Sequence, residues 1–423
     1  MRESGSNWAG NITYSAPRLH FPETVEQVQQ LVRRSRKLKV LGARHSFSDI
    51  ADSREDLISL DQMDRVLVVD RERHTVTVDA GVRYGPLCRQ LHAQGYALHN
   101  LASLPHIAVA GACATATHGS GDRNGNLATA VAGMELVTAD GARVALSRDR
   151  HDEHFPGAVV GLGGLGVVTT LTLDVVPAFE VQQAVYEDLP LARLEEHFDD
   201  IMSSAYSVSL FTDWQHERVN QAWLKRRVAD GATLALDPEF FGATLARSDR
   251  HPIIGRSAEA CTAQMGIPGP WYDRLPHFRM EFTPSAGEEL QTEYFVPRQH
   301  AIAALRVIYG LRKQLAPLLQ ISEVRTIAAD DLWMSPSYQQ ACVAFHFTWE
   351  KDWEAVRQLL PLIEEHLAPL HARPHWGKLF TMPAMRVHSL YPKLPAFQRL
   401  LRFYDPQGKF GNPFLDRYIY GAD

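Results

Sequence analysis

Chemically capable side chains alternate along two stretches of the chain that have the composition of β-strands. In residues 321–327, Glu323 and Arg325 fall on one face, because successive side chains of a strand point to opposite sides. In residues 342–349, His346 and Thr348 share one face and the other face is largely aromatic. This pattern is typical of the floor of a polar pocket. The solvent-facing side of an antiparallel sheet has the same pattern, and Glu323 with Arg325 could equally be a surface ion pair.

A short loop, residues 373–378 with the sequence RPHWGK, places His375 and Lys378 close together in the chain. It follows a helical stretch that ends near Leu370. Loops often hold functional side chains above a rigid scaffold, so this loop is a candidate part of a site. An ordinary surface turn after the helix is the alternative.

Two segments of small residues could approach an anion closely. The first is the turn Gly42-Ala43-Arg44-His45-Ser46, which directly follows a predicted strand at residues 39–41. The second is the stretch at residues 110–121, AGACATATHGSG. Small residues let backbone N–H groups surround a phosphate without side-chain clashes. A tight structural turn remains the alternative for each segment.

A third glycine-rich segment, GLGGLG at residues 161–166, satisfies the dinucleotide pattern G-x-G-x-x-G. That pattern binds pyrophosphate only when a helix follows it. Residues 167–173, VVTTLTL, are strongly β-forming. We therefore exclude a nicotinamide-type Rossmann site here.

The elements that must position these groups change in character along the chain. Up to residue 180 the sequence predicts an α+β arrangement, with a helix capped at Thr24 and a hairpin turn at Asp140-Gly141. Pro177 marks the predicted domain boundary. Beyond it, apolar periodicity predicts helices over residues 191–202 and 299–319. The turn-rich, aromatic tail at residues 405–413 is expected to dock onto the rest of the protein.

Composition limits the classes of function. The 423 residues carry a net charge of −6, with 45% hydrophobic and 22% charged residues, which are globular values without a basic stripe for nucleic acid. The four cysteines are scattered, which argues against a disulfide framework or a thiolate metal site. The 19 histidines have no metal-ligand spacing, so we predict no metal.

No signal peptide or membrane span is visible, so we expect a cytoplasmic location and no membrane partner. We also expect a monomer without a nucleic-acid partner.

Six ordered motifs together resemble one group of flavoproteins. They are NWAGNITY from residue 7, GARHSFSDIAD from 42, NLASLPHIAVAGACATATHGSG from 100, ISEVRTIAADDLWMSP from 321, HFTWE from 346 and RPHWGK from 373. The chain is similar over nearly its whole length to the alditol oxidases of the vanillyl-alcohol-oxidase superfamily. The resemblance implies an α+β fold with three parts: an FAD-binding domain of two α+β subdomains (residues 1–178), a substrate-binding cap domain with an antiparallel sheet (residues 179–400), and a C-terminal tail returning to the FAD domain (residues 401–423).

The resemblance also implies the residues that hold cofactor and substrate. His45 would be bonded covalently to the flavin of FAD. The other residues expected at the cofactor are Leu41, Gly42, Ala43, Arg44, Ser46, Ser103, Gly111, Thr115, Ala116, Thr117, His118, Val168 and His375. The residues expected around a small polyol are Ser103, Glu323, Arg325, His346, Thr348 and Lys378.

The implied reaction is oxidation of the terminal primary alcohol of an alditol such as xylitol or sorbitol to the aldose, with O₂ reduced to hydrogen peroxide. Arg325 and Lys378 would stabilise the developing alkoxide. Lys378 could take the hydroxyl proton if its pKa is lowered, and His346 is a competing candidate. A sugar-1,4-lactone oxidase or dehydrogenase of the same superfamily is the enzymatic alternative. A non-catalytic sugar-binding or flavin-binding protein is the alternative from another class.

One position departs from the family pattern. Related turns often read Gly-x-Gly-His-Ser, whereas this chain has Arg44 in place of the second glycine. An arginine lacks the backbone freedom of glycine, so the turn must either adopt negative φ at Arg44 or be strained there.

Overall fold

The computed structural model describes residues 5–150, 152–229, 233–282 and 287–421. The strands of this part of the chain are β1 (Arg18–His20), β2 (Leu38–Leu41), β3 (Asp56–Ser59), β4 (Val66–Asp70), β5 (Thr75–Asp79), β6 (Tyr96–Ala97), β7 (Val131–Val137), β8 (Arg143–Ser147), β9 (Val167–Asp174), β10 (Val176–Pro177), β11 (Glu180–Pro190), β12 (Ser207–Thr212), β13 (Arg218–Val228), β14 (Glu239–Phe240), β15 (Ala243–Leu245), β16 (Gly269–Pro270), β17 (Leu290–Pro297), β18 (Leu319–Ile327), β19 (Cys342–Trp349) and β20 (Arg373–Pro374).

The α-helices are α1 (Val25–Arg34), α2 (Tyr84–Ala93), α3 (Val109–Ala114), α4 (Phe155–Val159), α5 (Leu191–Glu196), α6 (Phe198–Ser203), α7 (Ala301–Gly310), α8 (Arg312–Leu315), α9 (Trp353–Leu367), α10 (Ala384–Leu390), α11 (Leu394–Tyr404) and α12 (Pro413–Leu415). Helices and antiparallel sheets thus occur along the whole chain, as the predicted α+β class requires. None of the helices in the described residues is long and apolar enough to cross a lipid bilayer.

A small parallel sheet of strand order β1-β3-β2 carries the first glycine-led turn at its edge. Helix α1 begins after Thr24, whose side chain accepts a hydrogen bond from the backbone of Gln27, and it buries Val28 and Val32. These valines pack with Leu38 and Ile58 of the sheet in one apolar cluster. The sheet and helix together fix the end of β2, from which the turn at residue 42 departs.

A second sheet, of order β4-β5-β9-β7-β8, is antiparallel throughout. Strands β7 and β8 form the hairpin predicted at Asp140-Gly141, and Gly141 adopts a φ of +81° in its turn. The segment GLGGLG leads directly into β9, so the strand expected after it is present. The helix that a dinucleotide pattern needs is therefore missing at this point.

After Pro177 the chain enters a different sheet. All strands from β11 onward belong to one ten-stranded antiparallel sheet of order β14-β15-β11-β13-β12-β18-β19-β17-β20, with β16 paired to β11. The three strands β18, β19 and β17 lie side by side in its interior. Helices α7 and α9 pack against each other, and α7 also contacts β17.

Two predicted helices are shorter than their apolar periodicity suggested. The stretch 191–202 is divided into α5 and α6, because His197 has a non-helical φ of −122°. The stretch 299–319 is divided into α7, which ends at Gly310, and the single turn α8, and Leu319 is already the first residue of β18. Glycine at the end of α7 disfavours continuation of the helix.

The C-terminal residues return to the first sheet. Lys409 donates from Nζ to the carbonyl oxygens of Val32 and Ala139, at 2.5 and 2.7 Å. Phe410 is fully buried in the same apolar cluster as Val28. Asn412 donates to the carbonyl oxygens of three residues in the segment 49–52, at 3.0–3.1 Å. The last two residues, 422 and 423, lie outside the described part of the chain.

Candidate active site

A cleft of about 1750 Å³, partly open to solvent, lies between the two small-residue segments and the interior strands of the large sheet. The predicted site residues that line it are Leu41, Gly42, Ala43, Arg44, His45, Ser46, Ser103, Gly111, Thr115, Thr117, His118, Glu323, Arg325, His346, Thr348, His375 and Lys378. Every predicted substrate residue therefore faces the same space as His45.

The floor of the cleft is a grid of side chains on one face of β18, β19 and β17. Glu323 pairs with His346 across β18 and β19, and His346 pairs with Glu293 across β19 and β17. The next row contains Thr348 opposite Gln291. Residues directly opposite each other in an antiparallel pair project to the same side. The polar face predicted for two strands therefore continues onto a third.

Glu293 is the centre of a buried charge cluster. Its side chain is 1% exposed, and its Oε1 lies 3.1 Å from His118 Nε2 and 2.9 Å from Arg325 Nη2. Its Oε2 lies 3.6 Å from His346 Nδ1. Burial alone would raise the pKa of Glu293, but His118 and Arg325 outweigh it and hold the pKa well below its usual value. Glu293 is therefore ionised and adds a negative charge to the polar face.

Glu323 is held from behind by a second buried chain of contacts. His277 Nε2 lies 2.8 Å from Glu323 Oε1, and Lys225 Nζ lies 3.2 Å from His277 Nδ1. Lys225 also donates to the carbonyl oxygens of Leu275 and Pro276, at 2.5 and 3.1 Å. Burial would raise the pKa of Glu323, but Arg325 and then His277 outweigh it and keep that pKa below its usual value. Glu323 is therefore ionised and fixed in place.

Lys378 supplies a cation whose charge is adjustable. Its Nζ contacts Gln291 Oε1 and lies 5.3 Å from the centre of the Phe47 ring. Burial lowers the pKa of Lys378 to about 8; Arg325 adds to this lowering and Glu293 opposes it. Near neutral pH a fraction of Lys378 is therefore a free amine, whereas the Arg325 guanidinium stays charged.

Two buried histidines are held in the neutral form. Burial lowers the pKa of His346, with Lys378 adding to the effect, and its Nε2 lies 3.2 Å from Thr348 Oγ1. Burial also holds the pKa of His375 well below its usual value. His375 Nδ1 accepts a hydrogen bond from the backbone N–H of Gly377 at 3.0 Å, so the ring proton is on Nε2. A neutral His346 can accept a proton, as general-base chemistry requires.

His45 also presents a neutral imidazole to the cleft. Burial lowers the pKa of His45 to about 4, and electrostatic interactions with His106 and Arg83 lower it further. The Trp8 ring lies 5.3 Å from the His45 ring. A neutral imidazole has a free nitrogen lone pair, which is the form that can act as a nucleophile.

The two small-residue segments meet across the cleft. A methyl group added at Gly42 would lie 3.7 Å from Ala108 Cβ and 3.9 Å from Gly111 Cα, and one added at Gly111 would meet no protein atom within 4 Å. Gly111 is in α3, where its absent side chain leaves the cleft open. The structure does not bring Ala116 and Val168 to the cleft wall: Ala116 is 1% exposed in the apolar core, and Val168 packs against the cluster behind the first sheet.

Arg44 is strained in the turn before His45. Its φ is +63°, in the left-handed region that favours glycine. Of the two alternatives that the sequence left for this turn, negative φ or strain at Arg44, the structure therefore has strain. The Arg44 guanidinium lies 6.0 Å from the centre of the Tyr14 ring.

The fold brings together a histidine–carboxylate group that the sequence spacing concealed. Donor atoms of His118, Glu293 and His375 all lie within 4.8 Å of one another. His118 Nδ1 forms a hydrogen bond with the carbonyl oxygen of Gly119 at 2.8 Å. The carboxylate oxygen Oε1 of Glu293 already forms an ion pair with Arg325 Nη2. The Nδ1 lone pair of His375 is already used by Gly377, and its Nε2 carries the proton. This arrangement disfavours metal coordination by His375, and the absence of a metal remains a prediction.

Sequence reasoning missed Gln291, Glu293 and His277. The signal for the first two was present in β17, LQTEYFVP, where Gln291 and Glu293 are two residues apart and so share one strand face, as the polar pairs of the two neighbouring strands do. His277 lies outside regular structure, and we find no local signal that would have identified it.

Two family models match the chain. Residues 16–147 match a model described as an FAD binding domain, and residues 278–418 match one described as D-arabinono-1,4-lactone oxidase. The first match contains the turn at His45, and the second contains the three polar strands and the loop at Lys378.

Several characterised proteins are similar over the whole chain. An alditol oxidase from a Streptomyces species is 50% identical over 424 residues, which cover 100% of both chains. An L-gulono-1,4-lactone dehydrogenase from Mycobacterium tuberculosis is 28% identical, and an L-gulonolactone oxidase from Bos taurus is 27% identical, each covering 98% of both chains.

Solved structures with a similar fold include the crystal structure of cholesterol oxidase from B. sterolicum. It matches with a TM-score of 0.76 and 14% identity, and covers 99% of this chain and 97% of the other. At this identity the likeness concerns the fold alone.

Proposed function

Since the chain belongs to the alditol oxidases, a family of FAD-linked oxidases in the vanillyl-alcohol-oxidase superfamily, we propose that it oxidises the terminal primary alcohol of an alditol such as xylitol or sorbitol. The products are the aldose and hydrogen peroxide. The observation that carries this proposal is the shared cleft: His45 and the polar grid of β18, β19 and β17 face one another across it. The sugar-lactone enzymes that match over nearly the whole chain are more distant in sequence, at 26–28% identity.

FAD is the cofactor of this family, and the residues present fit it. Gly42 packs against Gly111 at the end of β2, and the open space beside Gly111 lets a diphosphate approach the backbone there. The neutral His45 is suited to a covalent bond to the flavin. When bound, FAD supplies the two-electron acceptor that takes hydride from the substrate and passes electrons to O₂.

The protein side chains bind and orient the polyol in this proposal. Glu323 and Thr348 accept hydrogen bonds from hydroxyl groups, and Ser103, which lies 3.3 Å from Arg325 Nη1, can hold another. Because several buried polar groups would lose their partners, analogues that lack these hydroxyls should be rejected strongly.

Oxidation requires a group that accepts the proton of the reacting hydroxyl and a nearby positive charge that stabilises the alkoxide. Lys378 as free amine accepts it, and the Arg325 guanidinium stabilises the alkoxide as it forms. His346 is the competing acceptor, because its pKa is also lowered and it lies on the same face. Glu293 fixes Arg325 in place through their 2.9 Å contact.

The division of labour along the chain is part of the same proposal. Residues 1–178 bind FAD, residues 179–400 bind the substrate, and residues 401–423 complete the cofactor-binding part. A monomeric state and a cytoplasmic location remain predictions from the sequence.

Bleaching of the flavin colour tests the proposed activity. Xylitol added without oxygen should remove the absorption of the oxidised flavin, and air should restore it with release of hydrogen peroxide. Galactono-1,4-lactone should bleach far more slowly. Rapid bleaching by the lactone alone would assign the chain to the lactone enzymes, and absence of bleaching by both would contradict an oxidase.

A further inference from the structure

The N-terminal segment (residues 5–14) lies across the tether loop (residues 42–48) that contains His45. Three successive contacts join them, and each uses a backbone carbonyl of the loop. The backbone N–H of Trp8 donates to Arg44 O at 2.8 Å. Asn7 Nδ2 donates to Ser46 O, and Asn11 Nδ2 donates to Phe47 O, both at 2.9 Å. The segment thus holds the residue before His45 and the two residues after it.

Asn7 is built into this contact. It is 4% exposed, its Oδ1 accepts from the backbone N–H of Ile12 at 3.1 Å, and its Nδ2 also reaches Asn11 Oδ1 at 2.8 Å. Asn7 therefore joins two parts of the N-terminal segment and also binds the tether loop. The Trp8 ring, 5.3 Å from the His45 ring, limits the space in which the imidazole can turn.

The loop that contains Lys378 also holds the tether loop. The backbone N–H of Phe47 donates to Gly377 O at 2.8 Å, and Ser48 Oγ donates to Trp376 O at 2.9 Å. The tether loop that these contacts support contains Arg44 in its strained left-handed conformation. A strained turn persists only where its surroundings hold it. The shape of the tether loop is therefore imposed from outside.

We propose that Asn7 and Asn11 are positioning residues that aim His45 for its covalent bond to the flavin. This inference rests on the proposed function, in which His45 is the attachment point. An imidazole nitrogen forms a bond to the flavin 8α-methyl carbon. Breaking the methyl C–H and imidazole N–H bonds leaves two protons and one electron pair on the isoalloxazine. O₂, the oxidant of the proposed reaction, then takes them as hydrogen peroxide. Bond formation needs near-attack geometry, which an unsupported loop does not provide.

Covalent incorporation tests the inference independently of turnover. Asn7→Ala and Asn11→Ala proteins are purified at successive times after induction, and the flavin that remains with acid-precipitated protein is compared with total flavin. Loss of one such hydrogen bond should slow attachment about fivefold. FAD should still bind and appear in the acid supernatant. Asn7→Asp, which keeps the shape but lacks the donor to Ser46 O, should behave like Asn7→Ala if it is folded.

Asn124→Ala is the matched control. Asn124 is also 4% exposed and its Nδ2 donates to two backbone carbonyls, those of Ser120 and Tyr206 at 3.0 and 3.1 Å, but it does not contact the tether loop. It should lose stability without slower attachment. Wild-type attachment rates in the Asn7 and Asn11 variants would overturn the inference, and so would equal slowing in Asn124→Ala. Wild-type protein that is bleached by xylitol but releases all its flavin in acid would overturn the tether while leaving the oxidase activity standing.

Discussion

Lys378 should impose a pH dependence on the oxidation step. With a pKa of about 8, the free amine makes up about a tenth of Lys378 at pH 7 and half at pH 8. If the free amine takes the hydroxyl proton, kcat/KM for xylitol rises about fivefold between these two pH values and levels off above about pH 9. The rise goes with increasing pH because only the deprotonated lysine accepts a proton.

Replacement of Lys378 by Met removes both the proton acceptor and the adjustable charge. The rate should fall by about 10²–10⁴, the usual contribution of a general base, and the rise near pH 8 should disappear. Anaerobic stopped-flow reduction of the flavin by xylitol measures this step without the reaction of O₂. Lys313→Met removes an exposed ammonium on α8, outside the cleft, and it should keep the wild-type profile.

The competing acceptor, His346, gives a different result. The pKa of His346 is lowered from the usual histidine value, so a reaction that depends on it is already independent of pH above neutrality. A wild-type profile that is flat between pH 7 and 9 would refute the role given to Lys378. Persistence of the rise in Lys378→Met would refute it equally.

Two further substitutions follow from the geometry of the site. Arg44→Gly should be more stable than Arg44→Ala by about 1 kcal/mol in chemical denaturation, because both lose the side chain but only alanine keeps the left-handed strain; equal midpoints would contradict that strain. His277→Ala should raise the KM for xylitol about tenfold with a smaller change in kcat, because Glu323 loses the partner that holds it at 2.8 Å; a fall in kcat at unchanged KM would show that His277 acts elsewhere.

The polar face was predictable because alternation in a strand needs no knowledge of its neighbours. Glu323 with Arg325 and His346 with Thr348 are each two residues apart, so their sharing of a face follows from strand geometry alone. That these two strands are adjacent, and that β17 adds Glu293 beside them, depends on sheet order. Sheet order is decided by long-range pairing that the local sequence does not reveal.

Helix breaks and cleft exposure were harder to foresee. The apolar residues of α5 and α6 continue one helical period through His197, so only tertiary packing reveals the break. Ala116 belongs to a small-residue segment whose neighbours Thr115 and Thr117 line the cleft, yet its own side chain turns into the core. Composition identifies such a segment, but the direction of each side chain follows from backbone angles, and Ala116 has a φ of +53°.

The return of the C-terminal residues has a consequence for synthesis of the protein. Phe410 completes the apolar cluster around Val28, Lys409 bonds the carbonyl oxygens of Val32 in α1 and of Ala139, and Asn412 bonds the segment after the tether loop. These residues are synthesised after the amino-terminal elements that they contact. The core of the amino-terminal part therefore stays open on one side until residues 409–412 have been added. A protein truncated before Lys409 should therefore fail to retain flavin although every residue of the cleft is present.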